Sequence, residues 1–152
     1  MKFSELIQPD KIYYYEVLPT KDKYEFLKLL LYNTLKKSKY EKNYQEILEA
    51  LLEREQAMST GIGGSIAIPH CTTEYVNEIV ASLTLLKEEL DFQSLDKTPV
   101  RIIVLLIISR KNFDAHIKAL ASVAKTFQNQ EIKKNMLEAK SPEEIYEIIK
   151  SV

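Results

Sequence analysis

At 152 residues, 45% hydrophobic and 28% charged, the chain has the composition of one ordinary globular domain, 1–152, and not of a disordered or membrane-embedded sequence. Its 21 basic residues against 22 acidic ones leave a net charge of −1, so the basic footprint expected of a nucleic-acid binder is missing. A single cysteine, Cys71, excludes an internal disulfide and fits a reducing compartment. Neither the start MKFSELIQPDK nor the longest apolar run, Ile102 to Ile108, has the length of a signal peptide core or a bilayer span, so a cytoplasmic protein without membrane insertion is expected.

Phe3 to Ile7 predicts one helical turn closed by Pro9, and the aromatic run Ile12 to Val17 predicts a strand whose three tyrosines form a half-buried face. Thr20 is the expected N-cap of a helix from Lys21 to Lys37, with Phe26, Leu27, Leu30, Leu31 and Leu35 at helical spacing. A second helix, Tyr40 to Arg54, buries Ile47, Leu48, Leu51 and Leu52. Arg54 falls in its last turn, where a cation suits the negative end of the helix dipole; that structural use competes with phosphate binding.

All three glycines, Gly61, Gly63 and Gly64, lie in the next stretch, which reads as a loop offering free N–H groups to an anion. The alternation Ser65 to Ile68 predicts a strand stopped by Pro69, leaving His70 at the strand end beside that loop. Of Ile62, Ile66 and Ile68, at least one is expected at the surface near His70.

The polar segment from Cys71 to Glu78 reads as a turn, and Ile79 to Leu86 as a strand ended by Lys87-Glu88-Glu89. Val100 to Ile108 is nearly continuous aliphatic sequence, the signature of a central strand buried on both faces. After the loop Ser109 to Asn112 comes a helix from Asp114 to Phe127 carrying His116 in its first turn, with Ile117, Leu120, Ala121 and Ala124 expected inward. Two more helices follow, Gln130 to Ala139 and Pro142 to Lys150, the last with Ser141 as N-cap and Glu144 completing a capping box. This irregular alternation predicts an α/β fold, a mixed parallel and antiparallel central sheet flanked by helices on both faces.

Chemistry has few places to reside. The two histidines, His70 and His116, sit at a strand end and a helix start, where α/β proteins collect ligand groups. Either one alone would ordinarily be a surface or packing residue; that both point to the same kind of surface strengthens a functional reading. Zinc binding lacks a spaced ligand motif, and Cys71 and His70, as neighbours in an extended segment, point opposite ways, which disfavours a Cys-His hydrolase. No P-loop or dinucleotide fingerprint is present, so neither metal nor cofactor is expected.

Arg54-Glu55, Ser59-Thr60-Gly61-Ile62-Gly63 and Ala67-Ile68-Pro69-His70 together resemble the signature of EIIA domains of the mannitol/fructose type from the bacterial phosphotransferase system. The similarity extends to the Leu-Ile-Gln-Pro-Asp start, the approach Leu95 to Val100 and the His116 helix. Within that family the nitrogen-regulatory branch is most similar, with Cys71 standing where that branch often has glycine. The resemblance implies a phosphoryl group accepted on His70 from a phosphohistidine carrier, HPr or its nitrogen-branch counterpart. A transport EIIA passes the group to an EIIB domain, whereas a regulatory one controls target proteins by its phosphorylation state. A non-catalytic binding module on the same fold is the alternative of another class; the presence of His70, His116 and Arg54 argues against it. His70 would be the acceptor, supported by the guanidinium of Arg54 and a hydrogen bond from His116, with Thr60, Gly61 and Gly63 binding phosphate.

Overall fold

The computed structural model describes all residues, Met1–Val152. Its frame is a six-stranded sheet ordered β1-β5-β6-β3-β2, with β4 also paired to β6. β1 (Ile12–Tyr15) runs parallel to β5 (Val80–Leu90), which is antiparallel to β6 (Val100–Ser109). β3 (Ile66–Ala67) and β4 (His70–Thr73) lie parallel to β6, and β2 (Gly61–Gly63) is antiparallel to β3. Helices α1 (Phe3–Leu6), α4 (Phe113–Gln128), α5 (Gln130–Glu138) and α6 (Pro142–Ile149) cover one face, α2 (Lys23–Leu35) and α3 (Tyr44–Ala57) the other. The expected mixed sheet between two helical layers is the architecture found.

β6 organises this because period-2 alternation turns successive side chains to opposite faces. Ile102, Val104, Leu106 and Ile108 enter the core beneath α4 to α6, while Ile103, Leu105 and Ile107 enter the core beneath α2 and α3. Each fully buried aliphatic side chain contributes about 1.5–3 kcal/mol relative to exposure. That gain on both faces is why an uninterrupted apolar run belongs at the centre of the sheet.

Several boundaries differ from expectation for identifiable reasons. Asp22, not Thr20, caps α2: its Oδ1 accepts from the amides of Tyr24 (2.8 Å) and Glu25 (3.1 Å), and Thr20 Oγ1 instead accepts from Asp22 N. A 3-10 turn, Glu41–Asn43, precedes α3, which continues past Arg54 to Ala57. β5 does not stop at Leu86; exposed Lys87, Glu88 and Glu89 stay in the strand across a register shift between Leu85 and Leu90. In α4 the buried stripe is Ala119, Ser122, Val123 and Phe127, while Ile117 and Ala121 are exposed. Small apolar residues on two sides of that helix satisfy the 3.6 period in either phase, and the packing of Val123 and Phe127 onto the sheet decides it.

The glycine stretch is a strand rather than an open loop. β2 and β3 form a hairpin whose turn, Gly64-Ser65, takes positive φ at both residues (63° and 74°), the conformation that suits the twist of a tight hairpin. β3 does end ahead of Pro69, as expected, but a new strand, β4, opens at His70 where a polar turn was expected. Ile66 pairs with Ile102 and Ala67 with Ile103, and the same register resumes with His70 opposite Leu106 and Cys71 opposite Ile107. Pro69 still accepts a bond from Leu106 N (3.0 Å) but lacks the amide the ladder needs, so it interrupts without redirecting the chain.

Candidate active site

Because β2 pairs only with β3, β4 has no strand on its outer side. His70 therefore sits on an open sheet edge, where a helix from each face reaches the same place. The C-terminal turns of α3 and the N-terminal end of α4 wall a cavity of about 380 Å³, lined among others by Arg54, His70, Thr72, Arg110 and His116. The cavity thus unites the three residues singled out as acceptor and supports.

His70 is half-buried, and its Nδ1 is 2.8 Å from the carbonyl oxygen of Ile68. A carbonyl can only accept, so Nδ1 carries the proton and Nε2 keeps the lone pair. Pro69 favours an extended Ile68 before it and breaks the ladder, and His70 turns its ring back to the Ile68 carbonyl two residues earlier. Burial is the largest influence on its pKa and lowers it from 6.5. The Ile68 hydrogen bond acts in the opposite direction, the charges of Arg54 and His116 lower it further, and Glu55 raises it. The His116 ring lies edge-on to that of His70, with centroids 5.7 Å apart. α4 presents it from the first turn, capped by Asn112 Oδ1 accepting from Ala115 N (3.0 Å).

Arg54 is placed where either use foreseen for it is open. Its Nη1 donates to the carbonyl of Met58 (2.7 Å), the extended residue that caps α3, and the side chain also lines the cavity. One nitrogen is thereby fixed, and the rest of the guanidinium fork remains available to a ligand.

Thr60, Gly61 and Gly63 lie outside this lining. Thr60 is buried, and both its amide (2.8 Å) and its hydroxyl (2.5 Å) donate to Glu55. The Gly61 amide donates to Ser59 Oγ (3.1 Å). A side chain at Gly61 would run into Ser94, whose Oγ lies 2.1 Å from where a Cβ would be placed. These residues hold the hairpin against α3 and the segment after β5. On β4, the alternation that turns Pro69 and Thr73 carbonyls toward β6 points the Thr72 amide to the open side, beside the cavity.

Two features were not anticipated from the sequence, the Lys23–Glu55 pair and Arg110, whereas the opposite facing of Cys71 and His70 was. Glu55 forms a buried ion pair with Lys23 (3.0 Å), and Lys23 Nζ also donates to the Phe92 carbonyl (3.0 Å), so α2, α3, the hairpin and the 92–98 segment meet at one polar node. The two charges are 32 residues apart, and no local pattern signals such a pair. Arg110 enters the lining from the β6–α4 loop; its position just past the carboxyl end of the central strand was the available signal. Cys71 faces the core on the α2–α3 side, away from the His70 ring, and burial pushes its thiol up to about 12.

Fold and site together define a small α/β protein with a half-buried histidine at an open sheet edge, sharing a cavity with Arg54, Arg110 and His116. Residues 5–152 match the family model for EIIA 2 of the phosphoenolpyruvate-dependent sugar phosphotransferase system, and the chain belongs to that family. It is 27% identical over 105 residues to the fructose-specific EIIA component of Haloferax volcanii, covering 69% of this chain and 68% of that protein. It is 31% identical over 107 residues to a nitrogen regulatory protein of Bradyrhizobium diazoefficiens, covering 70% of each. Among solved structures, the nitrogen regulatory protein IIA-Ntr of Neisseria meningitidis superposes with a TM-score of 0.78 at 26% identity, over 96% of this chain and 97% of that one. The complex of enzyme IIA-mannitol with phosphorylated enzyme IIB-mannitol from Escherichia coli superposes with a TM-score of 0.76 at 19% identity, over 96% and 98%. No helix of this chain is long and apolar enough to cross a membrane.

Proposed function

We propose that His70 Nε2 accepts a phosphoryl group from a phosphohistidine on an HPr-like carrier, and that the phosphorylated protein either passes the group to an EIIB domain or controls regulatory partners. The observation that carries this is the 2.8 Å contact between His70 Nδ1 and Ile68 O, which leaves Nε2 as the nucleophilic ring nitrogen in a cavity shared with Arg54 and His116. As Nε2 donates its pair to phosphorus, the bond from phosphorus to the carrier nitrogen breaks and that ring recovers its own pair. Positive charge then develops on the His70 ring and strengthens its Nδ1–H hydrogen bond to Ile68 O. Transfer through a loose transition state needs positioning and charge stabilisation, which Arg54 and His116 supply as donors to the phosphoryl oxygens.

A partner must cover the cavity, and its rim is built for that. Phe113 and Ile117 stand exposed at the α4 side, the Phe113 ring 6.3 Å from that of His116, and Met58 is exposed just past α3. Apolar side chains of this size around a reactive residue mark a docking face. Phosphorylation adds about two negative charges there, so partners that bury the rim against acidic groups are weakened while those bringing arginine are strengthened. The membership of transport and regulatory proteins among the relatives supports both outlets for the group.

Incubation with a phosphorylated HPr-type carrier, followed by mass mapping of the acid-labile phosphate, tests the acceptor. Label is expected on His70 and is lost in His70→Ala; label persisting in that variant would overturn the assignment.

A further inference from the structure

The Arg54 guanidinium is partly committed to Met58 O, whereas Arg110 has a side chain with no hydrogen bond and no ion pair in the structure. Arg110 is nevertheless not a loose surface cation. Its amide donates to the Thr73 carbonyl (3.0 Å), the last residue of the strand that carries His70. Ser109 before it is in ladder register with Thr73, and Asn112 after it caps the helix that carries His116. The backbone of Arg110 is thus tied on one side to the acceptor strand and on the other to the supporting helix. The residue itself is exposed while lining the His70 cavity. An unpaired guanidinium with a fixed base beside a pocket that receives a dianion has an evident partner.

Building on the phosphoryl-acceptor reading, we infer that Arg110 is a second phosphate-binding residue of this site, closing on the His70 phosphoryl oxygens from the side opposite Arg54. The phosphoryl group arrives between α3 and α4, and Arg54 reaches it from the α3 wall. Arg110 reaches it from the β6–α4 loop, so the dianion is held between two forks whose positions are set by different faces of the sheet. Two guanidiniums stabilise the phosphorylated form more than one does, and they retain the group on His70 longer.

Potassium phosphoramidate tests this without any carrier. His70 Nε2 attacks phosphorus, the P–N bond breaks, and the electron pair leaves with nitrogen as ammonia. Formation of the adduct is followed by intact mass, its site by peptide mapping, and the second ionisation of the phosphoryl group by phosphorus NMR. Wild type is compared with Arg110→Ala, Arg110→Lys, and Lys111→Ala as a neighbouring exposed cation. The expected result is adduct formation about tenfold slower in Arg110→Ala. The phosphoryl group should also ionise at higher pH in that variant, with partial recovery in Arg110→Lys and no change in Lys111→Ala. If wild type labels on His70 and Arg110→Ala matches it in rate and titration, Arg110 does not bind the group. Equal loss in Arg110→Ala and Lys111→Ala would likewise overturn the proposal in favour of diffuse surface charge. Failure of wild type to label on His70 would instead overturn the acceptor assignment on which the proposal rests.

Discussion

The two walls of the cavity are held in different ways. On the α3 side, Arg54 is latched to Met58 O, and Glu55, the next residue, is buried against Lys23 and both donors of Thr60. On the α4 side, Arg110, Lys111 and Asn112 are exposed, and His116 is positioned mainly by an N-cap and by ring contacts with His70 and Phe113. One wall is fixed by a desolvated charge network; the other stands on the rim that a partner must approach. The phosphoryl relay proposed above would use both, since an acceptor geometry must be ready before docking and something must adapt to a protein-sized donor.

This contrast predicts unequal sensitivity to mutation. Removing one member of a buried pair leaves the other charge uncompensated, so Glu55→Ala should cost about 3–5 kcal/mol of stability. Asn112→Ala removes only a helix cap on the other wall and should cost about 1 kcal/mol. Urea denaturation of the two variants measures the difference. Equal losses would break the distinction between a rigid and an adjustable wall.

Next in size are the supports themselves. Charge-assisted donors contribute about 1.5–3 kcal/mol, so Arg54→Ala and His116→Ala should each slow phosphoryl transfer by about one to two decades. Both should retain the fold by circular dichroism. The Arg54 variant should in addition lose a little stability, because Met58 O loses its partner, whereas His116→Ala should not. Parent transfer rates in both would reduce Arg54 to a helix cap and His116 to a surface residue.

The same contrast governs what could be read before the structure. β6 was legible because an uninterrupted aliphatic run has few places other than the middle of a two-faced sheet. His70, Arg54 and His116 were legible as candidates because each sits near an element end, and the family signature groups the first two. The glycine stretch was misread because glycine's backbone freedom signals an unusual conformation without saying which. Here it serves a hairpin turn at Gly64 and close contact with Ser94 at Gly61. The Lys23–Glu55 node was invisible for a different reason: its members come from different helices, and only tertiary packing brings them together.

The smallest effect expected, and the most specific, concerns the acceptor's own titration. Burial lowers the His70 pKa below 6.5, with Arg54 and His116 adding to that shift while Ile68 O and Glu55 oppose it. In the window between the lowered native value and about 6.5, the unfolded chain binds more protons at this site than the native one. Its contribution to stability is therefore complete above the unfolded value and is lost as pH falls through the native one. The same lowering keeps Nε2 unprotonated at neutral pH, so the acid limb of phosphoryl acceptance should fall below pH 6.5 rather than at it. Ring-proton NMR of His70 measures this directly, with His116→Ala assigning the two imidazoles. Arg54→Ala should move the His70 midpoint upward, because removing a nearby cation makes the imidazolium less costly. Asn112→Ala, on the other wall, should leave it nearly unchanged. A midpoint at or above 6.5 in the parent protein, or one indifferent to Arg54, would mean that the α3 wall orients the acceptor without tuning its charge.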